Sequence, residues 1–274
     1  MRRSLALIAP LVVLAGCGSA KPVRTVVVQT GGTATTPTAT AATAAATGTT
    51  APPPAPGASA APTGGVPPQQ VVLPRGDRLT VNLRRATALR VAPGGRVVAR
   101  LAAKTQFGSP TVLAVVAKRP GWYGVLSPQI PNGRVGWISA RAALVGYANG
   151  FSVHASLGHR QVVVRRDGKV LARFPVAIGR PGNGTPPGTY AVTDKLRTGD
   201  PATSPYGCCI LALSGHQVNV PQDWGGGDRL AIHSTDAPAT IGEAASLGCL
   251  RAPETVMKLL VQVVPLGTVV KISA

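Results

Sequence analysis

Two short stretches near the C-terminus hold the residue types that could do chemistry: Ile232-His233-Ser234-Thr235 and Ser246-Leu247-Gly248-Cys249-Leu250-Arg251. The histidine stands sixteen positions before the cysteine. A thiol is a weak nucleophile until a base takes its proton, and His233 is the candidate base. Gly248 lets the chain turn tightly enough to present backbone N–H groups to an oxyanion. Arg251 adds positive charge beside the thiol. An isolated cysteine in a β-rich segment is ordinarily a small buried hydrophobe. The glycine before this one and the arginine after it point instead to a nucleophile.

The elements around these residues read as mostly β. Gln161 to Arg165 and Lys169 to Phe174 alternate across Arg166-Asp167-Gly168, and Asp-Gly between such runs is a strong hairpin signal. Further strands are expected at Thr189 to Val192, Cys209 to Leu213 and Arg229 to Ile232. Two short helices are expected, Pro238 to Ala245 and Pro253 to Val264. In the second, Val256, Leu259, Leu260 and Val263 are spaced for one apolar face. Cys249 then falls on a loop between helices, where the helix N-terminus and Arg251 would both lower its pKa. Tyr190 and Trp224 are candidate cleft residues, and Tyr190, on a strand, also suits a core position. His154, His159 and His216 lie outside both stretches and are expected at the surface or in packing.

With Thr185-Pro186-Pro187-Gly188-Thr189-Tyr190 added, the two stretches resemble, in order, the three motifs of the L,D-transpeptidase (YkuD-type) catalytic domain. The resemblance covers most of residues 151–274 and implies a β-sandwich with short helices. It implies Cys249 as nucleophile, His233 as general base and the Ser234 carbonyl as the group orienting the imidazole. The N–H groups of Gly248 and Cys249 would form the oxyanion hole. Ser246 and Arg251, with Tyr190, would shape the site and meet substrate carboxylates. Leu247 stands where many relatives carry histidine, a difference that bears on acceptor choice. The implied reaction is attack by Cys249 on the third residue of a peptidoglycan tetrapeptide stem, release of D-alanine, and transfer of the acyl group to an amine of a neighbouring stem, giving a 3→3 crosslink. Water as acceptor would make the same scaffold an L,D-carboxypeptidase. A vestigial site would leave a non-catalytic wall-binding lipoprotein.

Before this block, residues 75–147 show short strands broken by Pro93-Gly94-Gly95, Pro120-Gly121 and Pro131-Asn132-Gly133. Such spacing suggests a small barrel. From Leu89 through Trp122-Tyr123 to Arg134-Val135-Gly136-Trp137-Ile138, the pattern resembles bacterial SH3-like domains. Trp122, Tyr123 and Trp137 are read as the barrel's core rather than as a stacking surface. No titratable cluster marks this module as catalytic.

Residues 1–17 read as a lipoprotein signal peptide. Arg2 and Arg3 precede an apolar run too short to span a membrane, and Leu14-Ala15-Gly16-Cys17 resembles the lipobox, with Cys17 as the acylated residue. Residues 18–74, rich in Thr, Ala and Pro, read as a disordered tether, since they lack the apolar surface to offset ordering. These features together suggest an extracytoplasmic, membrane-anchored protein facing the cell wall. A net charge of +19 suits stem-peptide carboxylates, anionic wall polymers or lipid headgroups. The chain has no recognition helix or aromatic-basic motif for nucleic acid. No nucleotide loop, flavin fingerprint or metal-ligand spacing appears, so no cofactor or metal is expected. Of the four cysteines, adjacent Cys208 and Cys209 are expected as unbridged packing residues, because disulfide geometry disfavours neighbours.

Overall fold

The computed structural model describes residues 79–142, 144–199, 202, 204–220 and 227–274. Cys17, the expected signal peptide and tether, and Trp224 lie outside these residues. The chain forms two β-rich blocks joined through a shared patch of core.

The first block is a seven-stranded sheet: β1 (Leu79–Leu83), β2 (Thr87–Arg90), β3 (Val97–Leu101), β4 (Val112–Arg119), β5 (Trp122–Val125), β6 (Gly136–Ser139) and β7 (Leu144–Ala148). Their order is β3-β2-β6-β5-β4-β1-β7. Five of these strands follow the sequence pattern. β1 and β7, whose alternation is short and weak, are defined by their pairing: β1 lies between β4 and β7, with Val81 opposite Leu113 on one side and Gly146 on the other. Leu83, Leu89, Val115, Val125 and Ile138 form its buried centre, with Tyr123 packed on the margin.

The second block holds β8 (Phe151–Ser156), β9 (Gln161–Arg166), β10 (Lys169–Pro175), β11 (Ile178–Gly179), β12 (Gly188–Arg197), β13 (Cys209–His216), β14 (Arg229–His233), β15 (Ala244–Ser246), β16 (Leu250–Arg251), the helix α1 (Glu254–Val263) and β17 (Val269–Ser273). The β9–β10 hairpin turns on Asp167 and Gly168, both at positive φ, as a tight two-residue turn requires. Eight strands make one sheet, β10-β9-β8-β17-β12-β13-β14-β16. The first half of β12 pairs with β17 and the second half with β13, so the sheet curls on itself along this strand. A sandwich-like core results from one continuous sheet. Residues of β8, β9, β12, β13 and β14 meet Met257 and Leu260 of α1 inside it.

Three local expectations are corrected. Residues 238–245 form no α-helix. A single 3-10 turn at Pro238–Thr240 ends there, Gly242 takes positive φ, and Ala244–Ser246 pairs in parallel with β11. The backbone gains ladder partners that a helix would forgo. In α1 the buried residues are Met257, Leu260 and Val261, while Leu259 faces solvent. Of the expected face, Leu260 is buried and Val256 and Val263 pack against the same core, so Leu259 alone lies outside the inward stripe, which Met257 and Val261 complete. Finally, Cys208 and Cys209 are bonded to each other as a disulfide, in place of two free packing thiols. The turn that leads into β13 brings their side chains together.

The blocks share a third apolar cluster. Trp137, 4 % exposed, lies with Ala114, Val116 and Leu126 of the first block against Ala191 and Val269 of the second. Around it Asn132 exchanges two hydrogen bonds with the backbone of His216, at 2.6 and 2.8 Å. His216 Nε2 also reaches the Pro128 carbonyl at 2.7 Å, and its Nδ1 reaches Asp228 at 2.9 Å. Trp137→Ala should lower stability by about 3 kcal/mol, as expected for a large aromatic removed from a core. Urea denaturation measures this, and an unchanged midpoint would mean that the cluster does not couple the blocks.

Candidate active site

The site is assembled by the two residues of β16. They pair in parallel with the end of β14, Ile232 opposite Leu250 and His233 opposite Arg251. The Ala252 N–H extends the pairing by donating to the His233 carbonyl at 2.8 Å. Cys249 immediately precedes β16, so the ladder brings it to the end of β14 that carries His233. Both line one small cleft of about 50 Å³ with Tyr206, Asp228 and Arg251. Cys249 thus lies between two short strands, β15 and β16, rather than between helices.

His233 is 4 % exposed. Its Nδ1 donates to the carbonyl of Ser234, which can only accept, and this leaves Nε2 as the nitrogen able to take a proton. Ser234 is itself immobilised. Its N–H donates to the Cys209 carbonyl at 3.1 Å, and its hydroxyl donates to the Tyr206 carbonyl at 3.1 Å. The Tyr206 ring stands edge-on to the imidazole, centroids 5.0 Å apart at 71°. Burial pushes His233 down to about 4. The Ser234 bond opposes that shift and the Arg251 charge adds to it.

Cys249 is the free cysteine among the described residues. Its Sγ lies 3.8 Å from the carbonyl of Arg229. Burial pushes the thiol up to about 11, against smaller downward pulls from a backbone hydrogen bond to Ala231 and from Arg251. The expected lowering is therefore overturned. The helix starts only at Glu254, and desolvation outweighs the nearby charge. Burial thus favours a neutral thiol and a neutral imidazole side by side.

The loop before the thiol also differs from expectation. The Gly248 N–H donates to Ser246 Oγ at 3.0 Å, and that hydroxyl donates to the Cys249 carbonyl at 2.6 Å. Ser246, 1 % exposed, thus staples the turn, and the Gly248 N–H is spent on it instead of facing an oxyanion. The Cys249 N–H has no such acceptor among the described residues. Gly248 has φ +123°, and a Cβ there would stand 2.2 Å from Gln217 Nε2. Gln217, 3 % exposed, is fixed by donating to the Asn183 and Gly184 carbonyls at 3.0 and 2.9 Å.

Arg251 lines the cleft with a buried Nε that has no hydrogen-bond partner among the described residues. Leu247 lines it too. Tyr190 does not: it is 2 % exposed and its hydroxyl donates to the Pro186 carbonyl at 3.1 Å. It belongs to the core, where burial raises its pKa to about 12. His154 bonds Ser273 at 3.1 Å, away from the cleft. Tyr206 and Gln217 carry no motif and were not singled out by sequence. Their roles depend on loops brought in from β13 and the turn before it. Among the described residues no three His, Cys, Asp or Glu side chains converge to hold a metal.

The profile of the YkuD family, described as the L,D-transpeptidase catalytic domain, matches residues 150–272. The YkuD protein of Bacillus subtilis is 30 % identical over 127 residues, covering 46 % of this chain and 68 % of that protein. Its Bacillus licheniformis counterpart is 29 % identical over 123 residues, covering 45 % and 66 %. Among solved structures, an Enterococcus faecium L,D-transpeptidase mutant is 24 % identical, with TM-score 0.36, covering 45 % of this chain and 49 % of that one. L,D-transpeptidase 3 of Mycobacterium tuberculosis is 19 % identical, with TM-score 0.37, covering 51 % and 74 %. The chain spans about half the length of the enterococcal protein it matches. This chain belongs to the YkuD family of L,D-transpeptidase catalytic domains.

Two outcomes are expected. Gly248→Ala should slow acylation of Cys249 by about 10²-fold, since the new methyl must displace either Gln217 or the thiol-bearing turn. Stopped-flow acylation alongside a thermal melt tests this, and a wild-type rate would remove Gly248 from the site's construction. His233 has its folded pKa below its ordinary value of 6.5, so its contribution to stability is full above 6.5 and lost as pH falls toward about 4. Denaturation midpoints between pH 7 and 4 should fall more steeply for the wild type than for His233→Gln. Parallel curves would contradict a buried neutral imidazole.

Proposed function

We propose that this protein is a peptidoglycan L,D-transpeptidase that forms 3→3 crosslinks through a thioester on Cys249. The observation that carries this reading is the β14–β16 pairing. It sets the free thiol beside a histidine whose Nδ1 is locked on the Ser234 carbonyl and whose Nε2 is left to act. The Sγ attacks the carbonyl carbon of the third stem residue as its proton passes to Nε2 of His233. Imidazolium then returns that proton to the departing amine, and D-alanine leaves. The side-chain amine of a second stem attacks the thioester, and His233 again takes the proton while Sγ departs.

The unpartnered Nε of Arg251 offers a donor to a stem carboxylate or carbonyl inside the cleft. Oxyanion stabilisation falls to the Cys249 N–H, because the Gly248 N–H is held by Ser246. Neutral resting groups suit this chemistry, since a free thiolate would be open to oxidation or metals in an oxidising compartment. The lipobox-like Leu14 to Cys17 and the long tether support a membrane-anchored lipoprotein whose catalytic domain reaches the wall. The first β block supports an SH3-like accessory module, and the +19 charge supports contact with anionic wall polymers.

Intact-protein mass spectrometry after incubation with a carbapenem tests the acyl-accepting site. One adduct is expected, absent from Cys249→Ala and strongly slowed in His233→Gln. A folded protein that gains no adduct would favour a wall-binding lipoprotein without catalysis. With tetrapeptide stems as substrate, a product that incorporates an added amine is expected. Exclusive hydrolysis would make the enzyme an L,D-carboxypeptidase.

A further inference from the structure

A second cleft, about 200 Å³ against about 50 Å³ for the catalytic one, opens between the two blocks. Its acidic lining residue is Asp194 of β12, 1 % exposed. One carboxylate oxygen accepts from the Thr105 hydroxyl of the first block. The other, Oδ2, is buried with no hydrogen-bond partner among the described residues. Burying a carboxylate oxygen without a donor costs several kcal/mol, and such an atom requires an explanation.

Arg229 also lines this cleft, but its guanidinium is engaged elsewhere. Its Nε donates to the Leu213 carbonyl at 2.9 Å, and its Nη2 donates to the Thr193 hydroxyl and the Leu213 carbonyl, both at 2.7 Å. Asp194 and Arg229 feel each other's charge without forming an ion pair. Exposed Arg100 and Lys104 supply further positive charge at the rim. Leu101, Val112 and Leu113 give the cleft an apolar wall.

We propose that this cleft is a binding site for the zwitterionic head of a small free α-amino acid. Its ammonium meets Asp194 Oδ2, its carboxylate meets Arg100 and Lys104, and its short side chain lies on the apolar wall. A simple anion would leave the buried oxygen unpaired, and a simple amine would leave the basic rim unmatched. No aromatic side chain lines the cleft, so a saccharide finds no ring to stack on. The cleft shares Arg229 with the catalytic one but is lined by neither Cys249 nor His233, and the proposal stands whether or not the chain is a transpeptidase.

Isothermal titration of the full chain with D-alanine, N-acetyl-D-alanine and D-alaninamide tests it. D-alanine should bind, and removing either its ammonium or its carboxylate should weaken binding at least about tenfold. Asp194→Asn should abolish the preference for the free ammonium, and Lys104→Ala, at the exposed rim, should weaken D-alanine without disturbing the fold. Arg251→Ala, in the catalytic cleft, should leave binding intact. No binding of D-alanine, equal binding of the N-acetyl form, or binding lost in Arg251→Ala and retained in Asp194→Asn would each overturn the proposal. The ligand series on the wild-type chain decides the matter even if Asp194→Asn does not fold.

Discussion

The parallel pairing of the two-residue β16 with the end of β14 is the constraint on which the site depends. It sets His233 opposite Arg251 and so determines where Cys249 lies. Two residues make a short ladder, and it survives because the chain on both sides is tied down. Arg251 exchanges backbone bonds with Ala177, at 2.8 and 3.0 Å, and Ala252 donates to His233. Leu250, 1 % exposed, anchors the strand in the same core as Ile232 and Met257. A one-residue slip would turn Leu250 toward solvent and move the thiol away from the imidazole at once. Packing and chemistry therefore fix the same register.

Desolvation then governs the chemistry that this register allows. The surroundings that hold Cys249 and His233 in place also disfavour charge on either, so the thiol rises and the imidazole falls. Arg251 acts on both in the direction of a neutral imidazole and an easier thiolate, yet burial is the larger effect for each. The imidazole is consequently held in one orientation and kept neutral. Ser234, whose N–H and hydroxyl donate to the Cys209 and Tyr206 carbonyls, holds its own carbonyl against the imidazole Nδ1.

The first block bears on this arrangement through the second. Trp137 and Val116 cover Ala191 of β12 and Val269 of β17, two neighbouring strands of the curled sheet. Asn132 and Pro128 hold His216 at the far end of β13, and His216 in turn holds Asp228, beside Arg229 at the start of β14. The joint between the blocks is thus continuous with the strand that carries His233.

The chemical types were legible in the sequence because they depend on neighbours along the chain. The order of His233, Gly248, Cys249 and Arg251 marks the site, Asp167-Gly168 marks the hairpin, and the Gly/Pro turns of the first block separate its strands. What escaped is non-local. Residues 244–246 pair with Ile178–Gly179, about 65 positions away, which no helix propensity over 238–245 could reveal. Gln217 and Tyr206 reach the site only because β13 and its entry turn lie beside it. Ser246, read as a substrate contact, closes the turn instead, and Tyr190 belongs to the core. The protonation states of Cys249 and His233 reversed the sequence-based expectation for the thiol. Desolvation sums over every atom that excludes water, and those atoms come from strands scattered across the block. Sequence alone determined which groups could react. Tertiary structure alone decided how they meet and in which charge state they wait, because register and burial depend on distant segments brought together.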